Sequence, residues 1–240
     1  MHLHDVILYS IIAGTATLFG TWMVLKNEAL ARRHSMALIS FAAGVMLAIS
    51  FSHLLPESVE MSTAAWPFAF GGFLAFYLLQ QAVMFHACHE EECHTHHLGT
   101  LSFAGLTIHS FLDGLAIAVG FEASWSLGLL TTLAVLLHEV PEGITITGIL
   151  LHANAPRPRV VRYSVIVAVA TPLGAILSYF FLHDIGAQVL GALLAFTAGS
   201  FIYLAAADLL PETHKEHNWR NAVFFFLGVG LLAVVGAMLH

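Results

Sequence analysis

Two short stretches of this chain combine histidine with carboxylates, and both lie inside long apolar runs. HSFLDG occupies residues 109–114, and HEVPEG occupies residues 138–143. In each stretch a carboxylate follows the histidine by four residues, so a helix would place both side chains on one face. Imidazole and carboxylate groups are ligands for divalent metals such as Zn²⁺. Two such faces in contact would surround one point with two imidazoles and two carboxylates, which predicts a metal site.

The apolar surroundings favour that interpretation. An ionisable side chain in a membrane helix is costly unless it faces a partner, a water-filled cavity or an ion. One histidine–carboxylate pair could equally be a buried hydrogen-bond network that joins two helices, whereas two matched pairs on consecutive helices favour a metal. Gly114 and Gly143 would let the helices approach closely. Pro141 cannot donate a hydrogen bond to the carbonyl of Leu137, which predicts a kink beside the site.

The composition is that of an integral membrane protein. Of the 240 residues, 58% are hydrophobic and 10% are charged, whereas a soluble domain carries about 25% charged residues. Histidine, the commonest metal ligand among side chains, occurs 16 times. The first residues lack the basic segment and cleavage site of a signal peptide, so we expect the first apolar run to be a retained helix. The expected partners are divalent metal ions and the lipid bilayer; no nucleic acid and no catalytic cofactor are expected.

Eight apolar stretches are long enough to cross a membrane as helices, which takes roughly 20 residues. They do not alternate in polarity as β-barrel strands do. The predicted fold is therefore an all-α integral membrane protein with eight transmembrane helices, forming a single domain over residues 1–240. The predicted spans are 6–25, 36–56, 66–86, 101–121, 127–151, 161–182, 186–209 and 221–239. Spans 4 and 5 contain the two histidine–carboxylate stretches.

The basic residues predict how the chain is oriented. All eight lysines and arginines fall in the first, fifth and seventh loops, which lie on one side of an eight-span protein. The positive-inside rule makes that side cytoplasmic and places both termini outside. We therefore expect a multi-pass protein of the cell membrane, which in a bacterium is the inner membrane.

An internal repeat relates the two ends of the chain. Residues 41–58, FAAGVMLAISFSHLLPES, share seven of 18 positions with residues 196–213, FTAGSFIYLAAADLLPET. The copies lie in spans 2 and 7, which would cross the membrane in opposite directions. That pattern is typical of the inverted-topology repeats of secondary transporters. It predicts a 3+2+3 arrangement, in which spans 1–3 pair with spans 6–8 around the central spans 4 and 5.

The ends of the two repeats supply further polar candidates. His53 and Glu57 would lie near the outer end of span 2, and Asp208 and Glu212 near the inner end of span 7. We predict that all four line the path of an ion to and from the central site. The alternative, that they are interfacial residues marking the ends of helices, stays open.

The longest polar loop is 87–99, ACHEEECHTHHLG, which the orientation places in the cytoplasm. It is rich in metal ligands but lacks the regular spacing of a structural zinc site, so we predict a flexible chelating tract. Its candidate ligands, including one at the end of span 3, are His86, Cys88, His89, Cys93, His94, His96 and His97.

The two central stretches resemble motifs of the ZIP (Zrt/Irt-like) family of divalent-metal transporters, in particular its prokaryotic type. That family has HNxPEG-like and HxxPEG-like motifs on the fourth and fifth of eight spans. By position, the resemblance implies a primary metal site made of His109, Asp113, His138 and Glu142. It also implies that Ser110 and Glu139 contribute to a second, adjacent site and that Met46 of span 2 lies near the primary site.

The same resemblance implies a function and a mechanism. The family imports divalent transition-metal ions into the cytoplasm by alternating access, with Zn²⁺ as the first candidate and Fe²⁺, Mn²⁺ and Cd²⁺ as others. It further implies an elevator-like movement of spans 1, 4, 5 and 6 against spans 2, 3, 7 and 8, within a homodimer.

This chain departs from the family pattern in spans 4 and 6. In span 4, Ser110 stands in place of asparagine, Leu112 in place of proline and Asp113 in place of glutamate. Span 6 contains Thr171 and Pro172 but no carboxylate, although some relatives have a glutamate there. A single primary site is therefore the favoured expectation.

Two other functions compete with transport. HEVPE begins like the zincin motif HExxH, so an intramembrane zinc metallohydrolase is one alternative. Glu142 stands where that motif has its second histidine, and Pro141 distorts the turn, which argues against it. A membrane metal sensor without ion flux is the other alternative. Transport is favoured because it also gives a role to the duplicated LLPE ends.

Overall fold

The computed structural model describes residues 3–87, 95–182, 185–214 and 218–239, and within those ranges no residue is in a β-strand. The predicted all-α class is confirmed. The helices are α1 (Leu3–Lys26), α2 (Glu28–Ile49), α3 (Leu55–Met61), α4 (Ala65–Ala87), α5 (Thr95–Ala123), α6 (Trp125–His152), α7 (Arg157–Leu182), α8 (Ala187–Tyr203), α9 (Leu210–His214) and α10 (Trp219–Leu239). Two π-helical turns, Ser50–Leu54 and Leu204–Leu209, join α2 to α3 and α8 to α9.

Seven helices in the described part of the chain are long and apolar enough to cross a membrane. They coincide with the predicted spans 1, 2 and 4 to 8. The third predicted span corresponds to α4, which has 23 residues but is not among the seven. Gln80 and Gln81 interrupt its apolar sequence. The total of eight spans therefore stays a prediction.

The long helices pack as two bundles. Helices α1, α5, α6 and α7 contact one another extensively and form what we call the site bundle. Helices α2, α4, α8 and α10 form the scaffold bundle, in which α4 packs on α8 and α10 packs on α2. Contacts between the bundles are fewer and run mainly between α2 and α6 and between α5 and both α4 and α8. The site bundle therefore holds together more tightly than it contacts the scaffold bundle, whose two helix pairs meet mainly through α2, α8 and the two π-helical turns.

Glycines bring backbones into direct contact within the site bundle. A β-carbon at Gly143 of α6 would lie 2.0 Å from the carbonyl oxygen of Thr17 in α1. A β-carbon at Gly114 of α5 would lie 2.0 Å from the carbonyl oxygen of Thr171 in α7. The reciprocal contacts place Gly20 against the carbonyl of Val140 and Gly174 against that of Phe111. The packing of α1 on α6 is thus mirrored by the packing of α7 on α5.

The scaffold bundle has the same kind of contact. A β-carbon at Gly228 of α10 would lie 2.2 Å from the carbonyl oxygen of Phe41 in α2, and one at Gly72 of α4 would lie 2.0 Å from that of Phe196 in α8. Phe41 and Phe196 are the first residues of the two aligned repeats. The two halves of the chain therefore use matching contacts at matching positions.

Both repeats also contain a π-helical turn that ends at the first leucine of LLPE, a feature that was not predicted. Pro56 and Pro211 have no N–H, so the helix must pass each of them with a backbone hydrogen bond missing. The preceding turns widen, with the N–H of Leu55 donating to the carbonyl of Ser50 and that of Leu210 to the carbonyl of Ala205. Such π turns are frequent at functional sites. The repeated proline was the available sequence signal.

Replacement of Gly228 by alanine tests the glycine contacts. Gly228→Ala should destabilise the protein by about 1–3 kcal/mol, because the added methyl group would overlap the backbone of α2. The control is Gly230→Ala on the same helix, where a β-carbon meets nothing within 4 Å. The control should be neutral or slightly stabilising, since alanine favours helix. Thermal unfolding in detergent would measure both midpoints, and equal midpoints would contradict the packing described.

Candidate metal centre

The hairpin formed by α5 and α6 brings the two histidine–carboxylate stretches to one level. Only Ser124 separates the helices, and its side chain caps α6 by accepting a hydrogen bond from the N–H of Leu127. Asp113 lies 11 residues before Ser124 and His138 lies 14 after it, while His109 and Glu142 lie 15 before and 18 after. In each of these two pairs, the distances of the two residues from Ser124 differ by three residues. One alignment of the antiparallel helices therefore brings Asp113 near His138 and His109 near Glu142.

Asp113 lies at the centre of the resulting cluster. Its Oδ2 is 3.2 Å from His109 Nε2 and 3.3 Å from His138 Nε2. His109 Nε2 is in turn 3.6 Å from Glu142 Oε2. One ligand atom from each of the four residues lies within 4.8 Å of the others, and all four residues are buried. The sequence-predicted primary site is thus assembled in space.

Neighbouring groups orient two of these ligands. His138 Nδ1 lies 3.0 Å from the carbonyl oxygen of Ala134, which can only accept. The ring hydrogen therefore sits on Nδ1, and the lone pair of Nε2 points into the cluster as a metal ligand requires. The Ser110 hydroxyl donates to Glu142 Oε1 at 3.1 Å, while Glu142 Oε2 is the oxygen nearer His109. Ser110 therefore contacts a ligand rather than joining the group of four.

Glu139 faces away from this cluster. It is completely buried, and its two carboxylate oxygens accept hydrogen bonds from Thr17 of α1 and, at 2.9 Å, from Thr171 of α7. Neither threonine was predicted to have this role. A sequence signal did exist, because TLFG at 17–20 and TPLG at 171–174 repeat the same threonine–glycine spacing.

A cavity of about 380 Å³ extends from the cluster between the two bundles. Thr145 and Ile149 line it beyond Glu142 on α6, and Gly105 and Leu106 line it ahead of His109 on α5. It therefore runs toward the beginning of α5 and the end of α6, on the side of the basic loops. Other residues that line it are Met46, Phe76, Gln80, Tyr203 and Leu209.

The opposite side of the cluster is closed by apolar packing. Ile117 of α5, Leu130 and Val135 of α6, and Leu194 of α8 are each at most 1% exposed and belong to one hydrophobic core. Ile117, Leu130 and Val135 lie along α5 and α6 between the four ligands and the Ser124 turn. Among the described residues, the cavity leads away from the cluster toward the basic loops, and buried apolar side chains lie on its other side.

Aromatic rings of the scaffold bundle contact both histidines. The Phe76 ring meets the His109 ring edge-on at 5.7 Å between centroids, and the Phe201 ring meets the His138 ring at 6.0 Å. Met46 is completely buried and lines the same cavity. Tyr203 and Gln80 also lie on the cavity wall, where a hydrogen bond joins their side chains; neither was predicted.

The predicted path residues lie away from the four-ligand cluster. His53 is half-buried in the first π-helical turn and packs against Gly236 of α10, and Glu57 is half-buried on α3. Asp208 and Glu212 lie on the second π-helical turn and on α9, but their side chains are outside the described residues. The side chains of the loop candidates at 86, 88, 89, 93, 94, 96 and 97 also lie outside the described part of the chain.

Comparison with known proteins points to one family. A family model described as ZIP zinc transporter matches residues 86–236. The chain is 29% identical over 259 residues to zinc transporter ZupT of Chlorobium limicola, covering 96% of each protein. It is 33% identical over 215 residues to zinc transporter ZIP13 of Pongo abelii, covering 82% of this chain and 64% of that protein. It is 34% identical over 137 residues to zinc transporter SLC39A7 of Homo sapiens, covering 55% of this chain and 29% of that protein. Against these two animal relatives, the chain spans less than two thirds of their length.

Replacement of Asp113 tests the geometry of the cluster. Asp113→Asn should weaken Zn²⁺ binding by about a hundredfold, because it removes the charge nearest both imidazoles while keeping the size of the side chain. The control is Glu122→Gln, the same chemical change on the same helix but nine residues away. Titration of the purified protein with Zn²⁺ against a chromophoric chelator would measure both. Unchanged affinity in Asp113→Asn would remove this residue from the site.

Proposed function

The chain belongs to the ZIP family of zinc transporters, and from that premise we propose that it imports a divalent transition-metal ion into the cytoplasm by alternating access. Zn²⁺ is the proposed main cargo, with Fe²⁺, Mn²⁺ and Cd²⁺ as further candidates. The observation that supports this most directly is the group of four buried ligand atoms within 4.8 Å of one another on α5 and α6. The family consists of transporters rather than enzymes.

The proposed ligands are His109, Asp113, His138 and Glu142. Two imidazole nitrogens and two carboxylate oxygens suit a borderline ion such as Zn²⁺, which prefers four-coordinate sites. Two ionised carboxylates and two neutral imidazoles carry a charge of −2, which a divalent cation cancels. Met46 lies on the cavity wall near this group. Met46 is proposed to line the path beside the ion.

The shape of the cavity supports an inward-open form. The cavity leads from the ligands toward the ends of α5 and α6 that adjoin the basic loops, and the other side is packed with apolar side chains. With the positive-inside orientation, the open side faces the cytoplasm and both termini lie outside. Helix α4 is then the third span and brings the proposed total to eight. The proposed location is the cell membrane.

The two bundles support a movement of one against the other. Backbone contacts through glycine hold α1 to α6 and α5 to α7, so the ligands would move with the whole site bundle. Across the bundle interface, the histidines meet side chains such as Phe76 and Phe201 instead. The mirrored contacts of the two halves give a physical basis for a second, outward-open form. A homodimer is proposed for the assembly.

The proposed path starts and ends at the two repeats. His53 and Glu57 would receive the ion on the outer side, and Asp208 and Glu212 would receive it on the cytoplasmic side. The loop 87–99 would chelate ions in the cytoplasm.

Loss of a ligand should abolish transport. In proteoliposomes that contain a trapped zinc-sensitive dye, His138→Ala and Glu142→Ala should each reduce Zn²⁺ flux about a hundredfold or more, because each leaves the ion with three of its four proposed protein ligands. The control is Glu60→Ala, at an exposed position on α3. Undiminished flux in the two ligand variants would refute the site assignment. If the unmodified protein binds zinc but shows no flux, the alternative function of a membrane metal sensor would be favoured.

Two cysteine substitutions on α6 test which side of the site is open. In a background with Cys88 and Cys93 replaced by serine, Ile149→Cys should react with a membrane-impermeant maleimide added from the cytoplasmic side, since Ile149 lines the cavity. Leu130→Cys on the same helix should react at least about tenfold more slowly, because Leu130 is 1% exposed. Mass spectrometry of labelled inside-out vesicles would measure both rates. Faster labelling of Leu130→Cys than of Ile149→Cys would contradict the proposed inward-open form.

A further inference from the structure

Glu139 is a buried carboxylate whose oxygens are both engaged by the protein itself. Thr17 donates to one oxygen and Thr171 donates to the other at 2.9 Å. All three side chains are completely buried. An ionised carboxylate can be kept in such a place when hydroxyl donors replace the water that it has lost. The three residues therefore form a complete hydrogen-bonded unit, which we call the Glu139 clamp.

The clamp joins three helices at the level of the metal ligands. Glu139 lies on α6 between His138 and Glu142, whereas Thr17 lies on α1 and Thr171 on α7. Each threonine belongs to a helix that also meets the hairpin through glycine, since Gly143 packs on the Thr17 carbonyl. The rotation of α6 about its own axis is thus fixed from two sides. That rotation determines where His138 and Glu142 point.

The two threonines occupy equivalent places in the two halves of the chain. TLFG at 17–20 and TPLG at 171–174 each end in a glycine that packs on a central helix. Both hydroxyls nevertheless converge on Glu139. The residue in the same slot of the other central helix is Ser110, which donates to Glu142 instead. Ser110 and Glu139, the residues that follow the two site histidines, thus make different contacts in this chain.

We propose that Glu139 is a positioning residue, and that the centre binds one divalent ion per chain rather than two. The inference rests on the proposed function and deepens it. A second ion beside Glu139 would have to replace the hydroxyl donors, and α7 offers it only a threonine hydroxyl, which is a weak ligand for Zn²⁺. Among the described residues that line the cavity, the carboxylate is that of Glu142, which already belongs to the four-ligand cluster. The described cavity wall therefore offers a second ion no further carboxylate.

The test counts ions and measures affinity in matched variants. To keep the loop from contributing, the cysteines and histidines between residues 86 and 97 are first replaced by serine. The protein is placed in lipid nanodiscs with Zn²⁺, unbound metal is removed, and the ratio of zinc to chain is measured by mass spectrometry. The variants are Thr17→Val, Thr171→Val and Glu139→Gln. The controls are Thr17→Ser and Thr171→Ser, each of which keeps the hydroxyl group that valine lacks.

The clamp predicts one zinc per chain in the parent and in all variants. The two valine substitutions together should weaken Zn²⁺ affinity about tenfold, as loss of a supporting hydrogen bond around a metal site does. The serine variants should stay within about twofold of the parent. Adding Glu139→Gln to the valine pair should cause no further loss, because one interaction has already been removed.

Two results would overturn the proposal. One is a ratio of two zinc ions per chain that falls to one in Glu139→Gln. The other is an affinity that does not change in the valine pair. Failure of the proposed function is separate, since it would appear as an absence of Zn²⁺ flux in proteoliposomes that contain the unmodified protein. In that case the thermal unfolding midpoints of the metal-free variants test the clamp. Midpoint changes of Glu139→Gln and the valine pair that do not add when the substitutions are combined support it, and changes that add refute it.

Discussion

The burial of two carboxylates at one point between membrane helices is the constraint on which the rest of this structure depends. Asp113 is 1% exposed and Glu142 is 8% exposed. A buried charge is costly unless an opposite charge or hydrogen-bond donors face it. Neutral imidazoles satisfy this requirement only in part, because each has a single N–H and that of His138 is donated to the Ala134 carbonyl. A divalent cation compensates both carboxylates at once, so the arrangement that is costly for folding is suited to binding an ion.

That constraint explains why the packing differs inside and between the bundles. Ligands from two helices meet only if the helices are held at a fixed distance and rotation. Gly114 and Gly143 contribute by fixing α5 against α7 and α6 against α1 through backbone contacts, which leave little room for sliding. The interface with the scaffold bundle instead includes side-chain contacts, such as those of the Phe76 and Phe201 rings with the two histidines. A site held by backbone contacts beside an interface of side-chain contacts is compatible with the proposed movement of one bundle against the other.

Repetition supplies much of this architecture, and departures from it are informative. The LLPE ends, the π-helical turns and the threonine–glycine spacings each occur twice. The central helices break the pattern, because Ser110 supports a ligand whereas Glu139 binds two threonines. A carboxylate can accept from two hydroxyls at once, but a serine hydroxyl has a single proton to donate. The chemistry of one side chain therefore separates two otherwise equivalent positions.

The sequence by itself determined the helices and the four candidate metal ligands. Long apolar runs and a spacing of four residues are local properties, and they place His109 with Asp113 and His138 with Glu142 wherever the helices lie. Only the tertiary structure decided the surroundings of Glu139, because Thr17 lies 122 residues away and Thr171 lies 32 away. It also decided which side of the site is open. Both depend on how distant helices pack, and local spacing does not specify such contacts.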